Sequence, residues 1–124
     1  NAPAYAGLGA VLLERGAVEQ AEKFLRRSLE LDAQRLFTRH ALARLLIATG
    51  RLDEASRALE TVLADLPDDL DVRLTWISLL MRQKKLDHAA MLVSDLLDDE
   101  ELLPPHIRSR LKPLAAELSA ELSK

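Results

Sequence analysis

The sequence predicts an all-α fold of the α-solenoid class, in which helical hairpins follow one another along the chain, and three observations support this prediction. The 124 residues are rich in leucine, alanine, arginine and glutamate, and only 3% are aromatic, so helix is the locally preferred state. A sequence pattern recurs at intervals of 34 residues. Within each copy, apolar residues recur at the spacing of an amphipathic helix. We therefore expect a core made of local contacts between neighbouring hairpins.

The repeat is clearest around the turn of each hairpin. Residues 16–21, 50–55 and 84–89 align with one another, and apolar residues extend the register in both directions. The aligned apolar positions are Leu8, Leu42 and Trp76; Leu12, Leu46 and Leu80; Leu25, Leu59 and Val93; and Leu29, Leu63 and Leu97. Agreement at so many positions predicts three hairpins of two helices each.

The turn inside each hairpin is predicted at the first aligned position. Gly16 and Gly50 stand where the first helix of a copy must end, and glycine adopts the left-handed backbone of a helix C-cap at little cost. Lys84 fills the same position in the third copy, where a side chain costs about 1 kcal/mol. The third turn is therefore predicted to be the loosest of the three.

The starts of several helices are also marked in the sequence. Pro67 closes the second copy, and Asp68 and Asp69 are candidate N-caps for the helix that follows. Acidic residues open the second helix of every copy, where unpaired backbone N–H groups and the helix dipole favour negative charge. These acidic residues are Glu19, Asp53, Glu54 and Asp87.

A seventh helix is predicted after the third copy, over residues 104–123. Its apolar residues follow one another at spacings of four, three, four and four. Pro113 removes one backbone hydrogen bond and bends the helix, but the apolar stripe continues through it, so one bent helix is predicted instead of two. The stripe consists of Ile107, Leu111, Leu114, Leu118 and Leu122.

The pattern resembles that of the tetratricopeptide repeat (TPR) family over residues 2–103. The family's slots for large, small and turn-forming residues are filled in the first copy by Tyr5, Leu8, Gly9, Leu12, Gly16, Ala21, Leu25, Ser28 and Ala33. In the second copy they are filled by Arg39, Leu42, Ala43, Leu46, Gly50, Ala55, Leu59, Val62 and Pro67. The third copy departs further from the family pattern, and its slots are filled by Arg73, Trp76, Ile77, Leu80, Lys84, Ala89, Val93, Leu96 and Glu101.

The resemblance implies a right-handed α-solenoid of three TPR-like hairpins at residues 2–35, 36–69 and 70–103, within a single domain of residues 1–124. The helix at 104–123 is similar to the solvating helix that covers the last apolar face of such arrays. Because Asn1 is not a start methionine, this domain is expected to be a fragment of a longer protein, and its composition suggests a bacterial source.

Composition and motifs argue against several function classes. The net charge of −3 leaves no basic excess for nucleic acid, and the longest uncharged stretch, residues 1–13, is too short to insert into a membrane. The absence of cysteine excludes disulfides, thiol nucleophiles and cysteine-ligated metals. His40, His88 and His106 have no metal-ligand spacing, and no nucleophile or phosphate-loop motif is present. We therefore predict no catalytic residue, no metal, no cofactor and no enzyme activity.

Two further features are interpreted as structural. Gly7 and Gly9 lie in a helical stripe, which indicates close packing between helices. The acidic residues within 95–101 are interpreted as a solvated helix end. This acidic segment is expected to face the basic residues of the final helix, which are Arg108, Arg110 and Lys112.

The resemblance also implies a partner-binding groove, lined by the first helix of each hairpin. Carried over slot by slot, it comprises Pro3, Ala6, Ala10 and Leu13, then Phe37, His40, Arg44 and Ile47, then Asp71, Leu74, Ser78 and Met81, with Arg108 and Lys112 extending the line. One TPR subclass grips a C-terminal carboxylate with Lys and Asn in these slots. Here Ala6 and Ala10 stand in their place, which argues against such a clamp.

The remaining groove chemistry predicts a protein or peptide partner with apolar and acidic side chains. Arg44 can pair with a carboxylate in bidentate fashion, beside the apolar Phe37 and Ile47. The other interpretation of this surface is that Arg44 and His40 only solvate an unused groove. The predicted function is accordingly a non-catalytic protein-interaction scaffold.

The alternative function is self-association or structural assembly, with a homodimer as one form of it. No earlier residues cover every side of the first helix, so an exposed apolar edge is expected, which upstream repeats or a second copy of the chain could fill. The residues of this edge are Tyr5, Leu8, Val11 and Leu12. A soluble protein of either the cytoplasm or the periplasm is consistent with the sequence.

Overall fold

The computed structural model describes residues 1–124 and contains seven α-helices, a short 3-10 turn at Glu100–Leu102 and no strand. The all-α prediction is confirmed. The helices are α1 (Ala2–Glu14), α2 (Val18–Leu31), α3 (Leu36–Ala48), α4 (Leu52–Asp65), α5 (Leu70–Arg82), α6 (Leu86–Leu97) and α7 (Pro105–Leu122).

Two compact units divide the chain. The N-terminal unit, Asn1–Asp65, contains α1 to α4, and the C-terminal unit, Leu66–Lys124, contains α5 to α7. In the N-terminal unit α1 packs on α2 and α3 on α4, while in the C-terminal unit α5, α6 and α7 contact one another. No helix is both long and apolar enough to cross a bilayer.

The turns that join α1 to α2, α3 to α4 and α5 to α6 share one hydrogen-bonded geometry. Gly16, Gly50 and Lys84 have φ angles of 80°, 79° and 62°, so the left-handed conformation predicted from the sequence is confirmed. In each turn this residue donates its N–H to the carbonyl three residues before it, and the next residue donates to the carbonyl five residues before. This is a Schellman motif, and Lys84 completes it despite the strain on its side chain.

Close packing between α1 and α2 depends on Gly9. A Cβ atom at this position would lie 2.8 Å from both Cγ and Cδ2 of Leu25 and 3.3 Å from the carbonyl oxygen of Ala21. For Gly7 the prediction of close packing was wrong, because nothing lies within 4 Å of the corresponding Cβ position. The buried side of α1 runs through Ala2, Ala6 and Gly9, and Gly7 points away from it.

A polar contact is buried where α1, α2 and α3 meet. The hydroxyl of Ser28 donates to the carbonyl oxygen of Ala2 at 2.9 Å, and its Oγ lies 3.3 Å from Oγ1 of Thr38. Both side chains are fully buried. These bonds satisfy the two hydroxyl groups and connect three helices of the N-terminal unit.

The C-terminal unit has a core formed by side chains from all three of its helices. The residues of this core are Leu74, Ile77, Leu80, Met81, Ala89, Val93, Leu96, Leu103, Ile107, Leu111 and Leu118. Asp69 caps α5 by accepting a hydrogen bond from the backbone N–H of Val72 at 3.0 Å, which confirms the N-cap predicted there.

Helix α7 is a single helix that continues through Pro113, as predicted. Its buried residues are Ile107, Leu111 and Leu118. Leu118 occupies the position 34 residues after Lys84, where the earlier hairpins turn. Because leucine favours helix and no glycine is present, α7 runs on for 18 residues instead of ending there.

Candidate functional site

The exposed face of α3 carries the predicted groove residues of the N-terminal unit. Phe37 is 57% exposed, although a large aromatic side chain is usually buried. Arg44 is exposed and forms neither a hydrogen bond nor an ion pair. His40 is half-buried and has a polar or ring contact, while Ile47 is buried at 7% exposure. Leu13 of α1 is half-buried.

Residues Phe37, His40 and Arg44 share one side of α3, because spacings of three and four residues bring side chains to the same helix face. The exposed part of this set is an aromatic ring and an unpaired guanidinium. Such a pair can bind an apolar side chain and a carboxylate at the same time.

In the C-terminal unit, the predicted groove residues are divided between core and surface. Leu74 and Met81 belong to the aliphatic core against α6 and α7, so they are not surface residues. Ser78 is half-buried. On α7, Arg108 is half-buried and Lys112 is exposed, and neither forms an ion pair. The accessible predicted residues of this unit are therefore mainly these two cations.

Asp71 has a different role from the one implied by the groove. Its Oδ1 accepts a hydrogen bond from Nη1 of Arg110 at 2.5 Å, and its Oδ2 lies 3.7 Å from Nε2 of His106. The pairing expected between the acidic segment 95–101 and the basic residues of α7 is not formed, because no ion pair joins them. Arg110 of α7 pairs with Asp71 of α5 instead, while the acidic side chains of residues 95–101 form no ion pair.

The outer face of α1 presents the predicted apolar edge. Leu8 and Val11 are each 45% exposed. Tyr5 and Leu12 are half-buried, and the ring of Tyr5 stacks on that of Phe24 at a centroid distance of 6.0 Å. The exposed part of the edge therefore consists of the two aliphatic side chains.

Two arginines fix the ionisation of a carboxylate on α2. Arg51, directly before α4, donates from Nη1 and Nη2 to the two oxygens of Glu22 at 3.0 Å and 2.5 Å. Arg26 donates to the same carboxylate at 2.8 Å and to Glu54 at 3.2 Å. The hydrogen bonds from Arg51 are the main reason that the pKa of Glu22 falls to about 2, while partial burial acts in the opposite direction. This network connects α2 with α4 and lies apart from the exposed face of α3.

A groove that the sequence analysis missed lies between α6 and α7. Its volume is about 420 Å³, and four residues of each helix line it together with the C-cap of that helix. These are Ala90, Val93, Ser94, Leu97 and Asp98 of α6 and its C-cap, and Ala115, Leu118, Ser119, Leu122 and Ser123 of α7 and its C-cap. The two sets have the same internal spacing of three, one, three and one, which is the signal that could have revealed the groove in the sequence.

No three His, Asp or Glu side chains lie close enough together to hold a metal ion. The ring of His88 contacts that of Trp76 in an edge-to-face arrangement at a centroid distance of 5.2 Å. The surfaces described here therefore offer apolar and ionic contacts to a partner, which is the chemistry of binding.

Comparison with known proteins decides the family. The family model for the tetratricopeptide repeat matches residues 12–74 and 46–102, which together cover most of the chain. The chain belongs to the tetratricopeptide repeat family. Among curated proteins, no sequence matches it.

A solved structure from a functional characterisation of Pseudomonas aeruginosa PilF is similar to this TPR chain. The two superimpose with a TM-score of 0.78 and are 27% identical. The match covers 99% of this chain and 54% of that PilF chain, so the chain spans about half the length of its structural relative. Family membership and this match together give an α-solenoid fold of helical hairpins.

Membership of the TPR family also gives a coarse function. TPR repeats generally mediate protein–protein interactions, and proteins of the family are generally non-catalytic scaffolds. Neither comparison specifies a partner for this chain, so the chemistry of its own surface residues has to indicate one.

Proposed function

We propose that this TPR chain is a non-catalytic interaction module that binds a peptide with apolar and acidic side chains on the exposed face of α3. The observation that carries the proposal is the exposure of Phe37 on the same face of α3 as an arginine, Arg44, that has no partner within the protein. An exposed aromatic ring and a free guanidinium are both typical of interface centres.

The two exposed side chains of this face, Phe37 and Arg44, determine which ligand we propose. An acidic side chain of the peptide pairs with the guanidinium of Arg44, in a charge-assisted and bidentate geometry. An apolar side chain of the same peptide packs on the ring of Phe37. Since no acidic residue pairs with Arg44, a bound carboxylate does not have to displace an internal one.

The C-terminal unit offers a second cationic surface on α7. Arg108 and Lys112 are one helical turn apart and form no ion pair within the protein. We propose that this surface is a separate, second binding site for acidic segments. Ile47 of α3 and Leu74 and Met81 of α5 are buried, so they are not part of either proposed binding surface.

Binding of fluorescent peptides that combine apolar and acidic residues tests the proposal. Arg44→Glu is expected to weaken the affinity by about tenfold or more, because a buried charge pair at an interface is replaced by repulsion. Arg57→Glu is the matched control, since Arg57 is also exposed but lies on α4. Equal affinities of the wild type and Arg44→Glu would contradict the proposal.

A second substitution tests the apolar half of the site. Phe37→Ala is expected to weaken the same peptide, while Leu31→Ala, at another exposed apolar residue, is expected to have no effect. If both substitutions reduced the affinity equally, the binding would be non-specific hydrophobic adsorption.

Self-association is a second candidate function, and the exposure of Leu8 and Val11 favours it. An exposed pair of aliphatic side chains on a helix with almost no charge is typical of a surface that another protein surface covers. We propose that α1 is the self-association helix. Sedimentation of the chain over a range of concentrations tests this, and a monomer throughout would exclude it.

A further inference from the structure

The groove between α6 and α7 has the form of an acceptor for a third helix. Its floor consists of the buried side chains of Val93 and Leu118, and its rims carry Leu97 and Leu122, which are 40% and 49% exposed. Small residues, Ala90, Ser94, Ala115 and Ser119, line the space between floor and rims. Such small side chains leave room for a helix to approach closely, and helix-in-groove binding uses aliphatic rims of this kind.

The electrostatic character of the groove is negative. Asp98, the C-cap of α6, lies in its lining, and no lining residue is basic. The last turns of both α6 and α7 line the groove without any basic residue, so the negative ends of both helix dipoles remain uncompensated. The nearby ammonium of Lys124 is already paired with Glu121 at 2.8 Å. A matching ligand would therefore be an apolar helix that carries a cation.

This chain contains a helix with those properties. Along α1, exposed residues recur at spacings of four, three and four, opposite the buried Ala2, Ala6 and Gly9. Glu14 is the only charged residue within α1, and the exposed stripe ends at the C-cap of the helix, the cation Arg15. The exposed stripe consists of Ala4, Leu8, Val11 and Arg15.

The shape of α1 agrees with this role. Leu8 and Val11 project from the helix, while Ala4 and Gly7 beside them are small. Nothing lies within 4 Å of the Cβ position of Gly7, so a partner surface can reach the backbone there. The ligand side chains and the groove rims are therefore both aliphatic, and their charged ends have opposite sign.

We infer that α1 of one copy of this chain binds in the α6/α7 groove of a second copy, with Leu8 and Val11 between Leu97 and Leu122 and with Arg15 near Asp98. This inference rests on the second candidate function, self-association, and names the surface that α1 contacts. Because the two surfaces differ, the contact is heterologous, and each copy has one donor helix and one acceptor groove.

Two substitutions separate the donor from the acceptor. Leu8→Glu places a charge on the exposed stripe of α1 and leaves the groove intact. Ser119→Arg fills the groove and repels Arg15, and arginine favours helix more than serine at this exposed position. Matched controls are Leu31→Glu on α2 and Met91→Arg on the outer side of α6, both at exposed apolar residues outside the two surfaces.

Sedimentation velocity over a concentration series is the measurement, with circular dichroism to show that each variant is folded. The wild type is expected to associate, and each surface variant alone is expected to need about tenfold more protein or to stay monomeric. An equimolar mixture of Leu8→Glu and Ser119→Arg is expected to form dimers and nothing larger. Only one intact donor and one intact acceptor can meet in that mixture.

The outcomes that would overturn the inference are distinct. If Ser119→Arg associates like the wild type while Leu8→Glu does not, α1 binds another surface, and self-association stands without the groove. If neither variant associates alone and their mixture does not associate either, the donor and the acceptor do not complement each other and the inference is overturned. If the wild type is monomeric throughout, both the inference and the second candidate function fail, and peptide binding on α3 is unaffected.

A charge reversal checks the predicted orientation. Arg15→Glu and Asp98→Arg are each expected to weaken association by several-fold, which is about the effect of reversing one charge at the edge of an interface. The double variant is expected to recover the wild-type association, because opposite charges again meet. A double variant weaker than either single variant would place these two side chains away from each other.

Discussion

The two units of the molecule are built from the same 34-residue repeat and both bury aliphatic side chains, but they differ in the polar contacts that join their helices. In the N-terminal unit, polar groups connect the helices in addition to the aliphatic core: Ser28 bonds to Ala2 inside the core, and Arg51 and Arg26 enclose Glu22 at its edge. In the C-terminal unit, aliphatic side chains of α5, α6 and α7 form one continuous core. Its ion pairs, such as Asp71 with Arg110, are on the surface.

Equivalent positions explain this difference. The buried position of Ser28 is occupied 34 residues later by Val62 and then by Leu96, and all three side chains are buried. The position of Glu22 is likewise occupied by Ser56 and then by Ala90. The repeat therefore determines which positions are buried, while the side chain at each position determines whether polar or aliphatic contacts fill them.

The largest expected effect tests the aliphatic core of the C-terminal unit. Leu111→Ala removes a fully buried side chain and should lower the free energy of unfolding by about 3 kcal/mol, through lost burial and the cavity left behind. Chemical denaturation followed by the fluorescence of Trp76 measures this, because the single tryptophan packs on the same core. Leu122→Ala, at an exposed leucine, is the control and should cost much less.

Hydrogen exchange tells whether the effect of Leu111→Ala stays within one unit. Amide protection should fall first in residues 66–124, since the substituted side chain lies in their core. Equal loss of protection in residues 1–65 would show that the two units unfold together. The difference in their contacts would then have no counterpart in their local stability.

The local features of the fold could be predicted from the sequence because they follow local rules. The left-handed turns at Gly16, Gly50 and Lys84, the cap at Asp69 and the continuation of α7 through Pro113 each depend on residues close in sequence. The predicted apolar edge of α1 comprised four residues, because no earlier helix covers them, and two of these, Leu8 and Val11, are exposed.

The surfaces were harder to predict because they depend on how helices pack. Leu74 and Met81 were assigned to a groove, but α6 and α7 cover them. Arg39 and Arg73 fill a slot for large residues in the repeat pattern. Each donates its Nε–H to the backbone carbonyl six residues earlier, which is that of Ala33 for Arg39 and that of Pro67 for Arg73. The pattern of residue types in the repeat does not indicate these hydrogen bonds. The α6/α7 groove is lined by residues of two helices, so the spacing within one helix could not reveal it without the matching spacing in the other.

The second prediction concerns packing in the N-terminal unit and uses two glycines of one helix. Gly9→Ala should destabilise the unit by about 1–2 kcal/mol, because the new Cβ would lie 2.8 Å from the side chain of Leu25. Gly7→Ala is the control in open space and should stabilise α1 by about 0.5–1 kcal/mol through helix propensity. Thermal unfolding by circular dichroism measures both, and effects of the same sign would contradict the assigned packing.

The third prediction tests the ionic part of the N-terminal unit by pH. The pKa of Glu22 is about 2 in the folded chain against an ordinary value of 4.5, so the bond to Arg51 stabilises the protein above about pH 4.5. That stability is lost as the pH falls towards 2, because the carboxylate becomes protonated. Since the arginine partners are partly exposed, the contribution at neutral pH should be only about 1 kcal/mol.

Glu22→Gln measures this contribution. The variant should be less stable than the wild type at pH 7, and the difference in free energy of unfolding should shrink between pH 4.5 and pH 2. Glu60→Gln is the control, since Glu60 is exposed on α4 and forms no ion pair. A difference that stayed constant with pH would show that the charge of Glu22 is unimportant for stability.

The smallest expected effect on stability comes from the backbone strain that distinguishes the turn of the C-terminal unit from the two turns of the N-terminal unit. Lys84 holds a φ of 62° that glycine adopts freely at Gly16 and Gly50, so Lys84→Gly should stabilise the chain by up to about 1 kcal/mol. The substitution also removes an exposed contact to Glu121 at 3.6 Å, which offsets part of the gain. Lys84→Ala removes this contact but keeps the strained backbone, so it should be slightly destabilising. If the glycine and alanine variants were equally stable, the left-handed conformation of Lys84 would carry no strain, and the three turns would be equivalent despite their different residues.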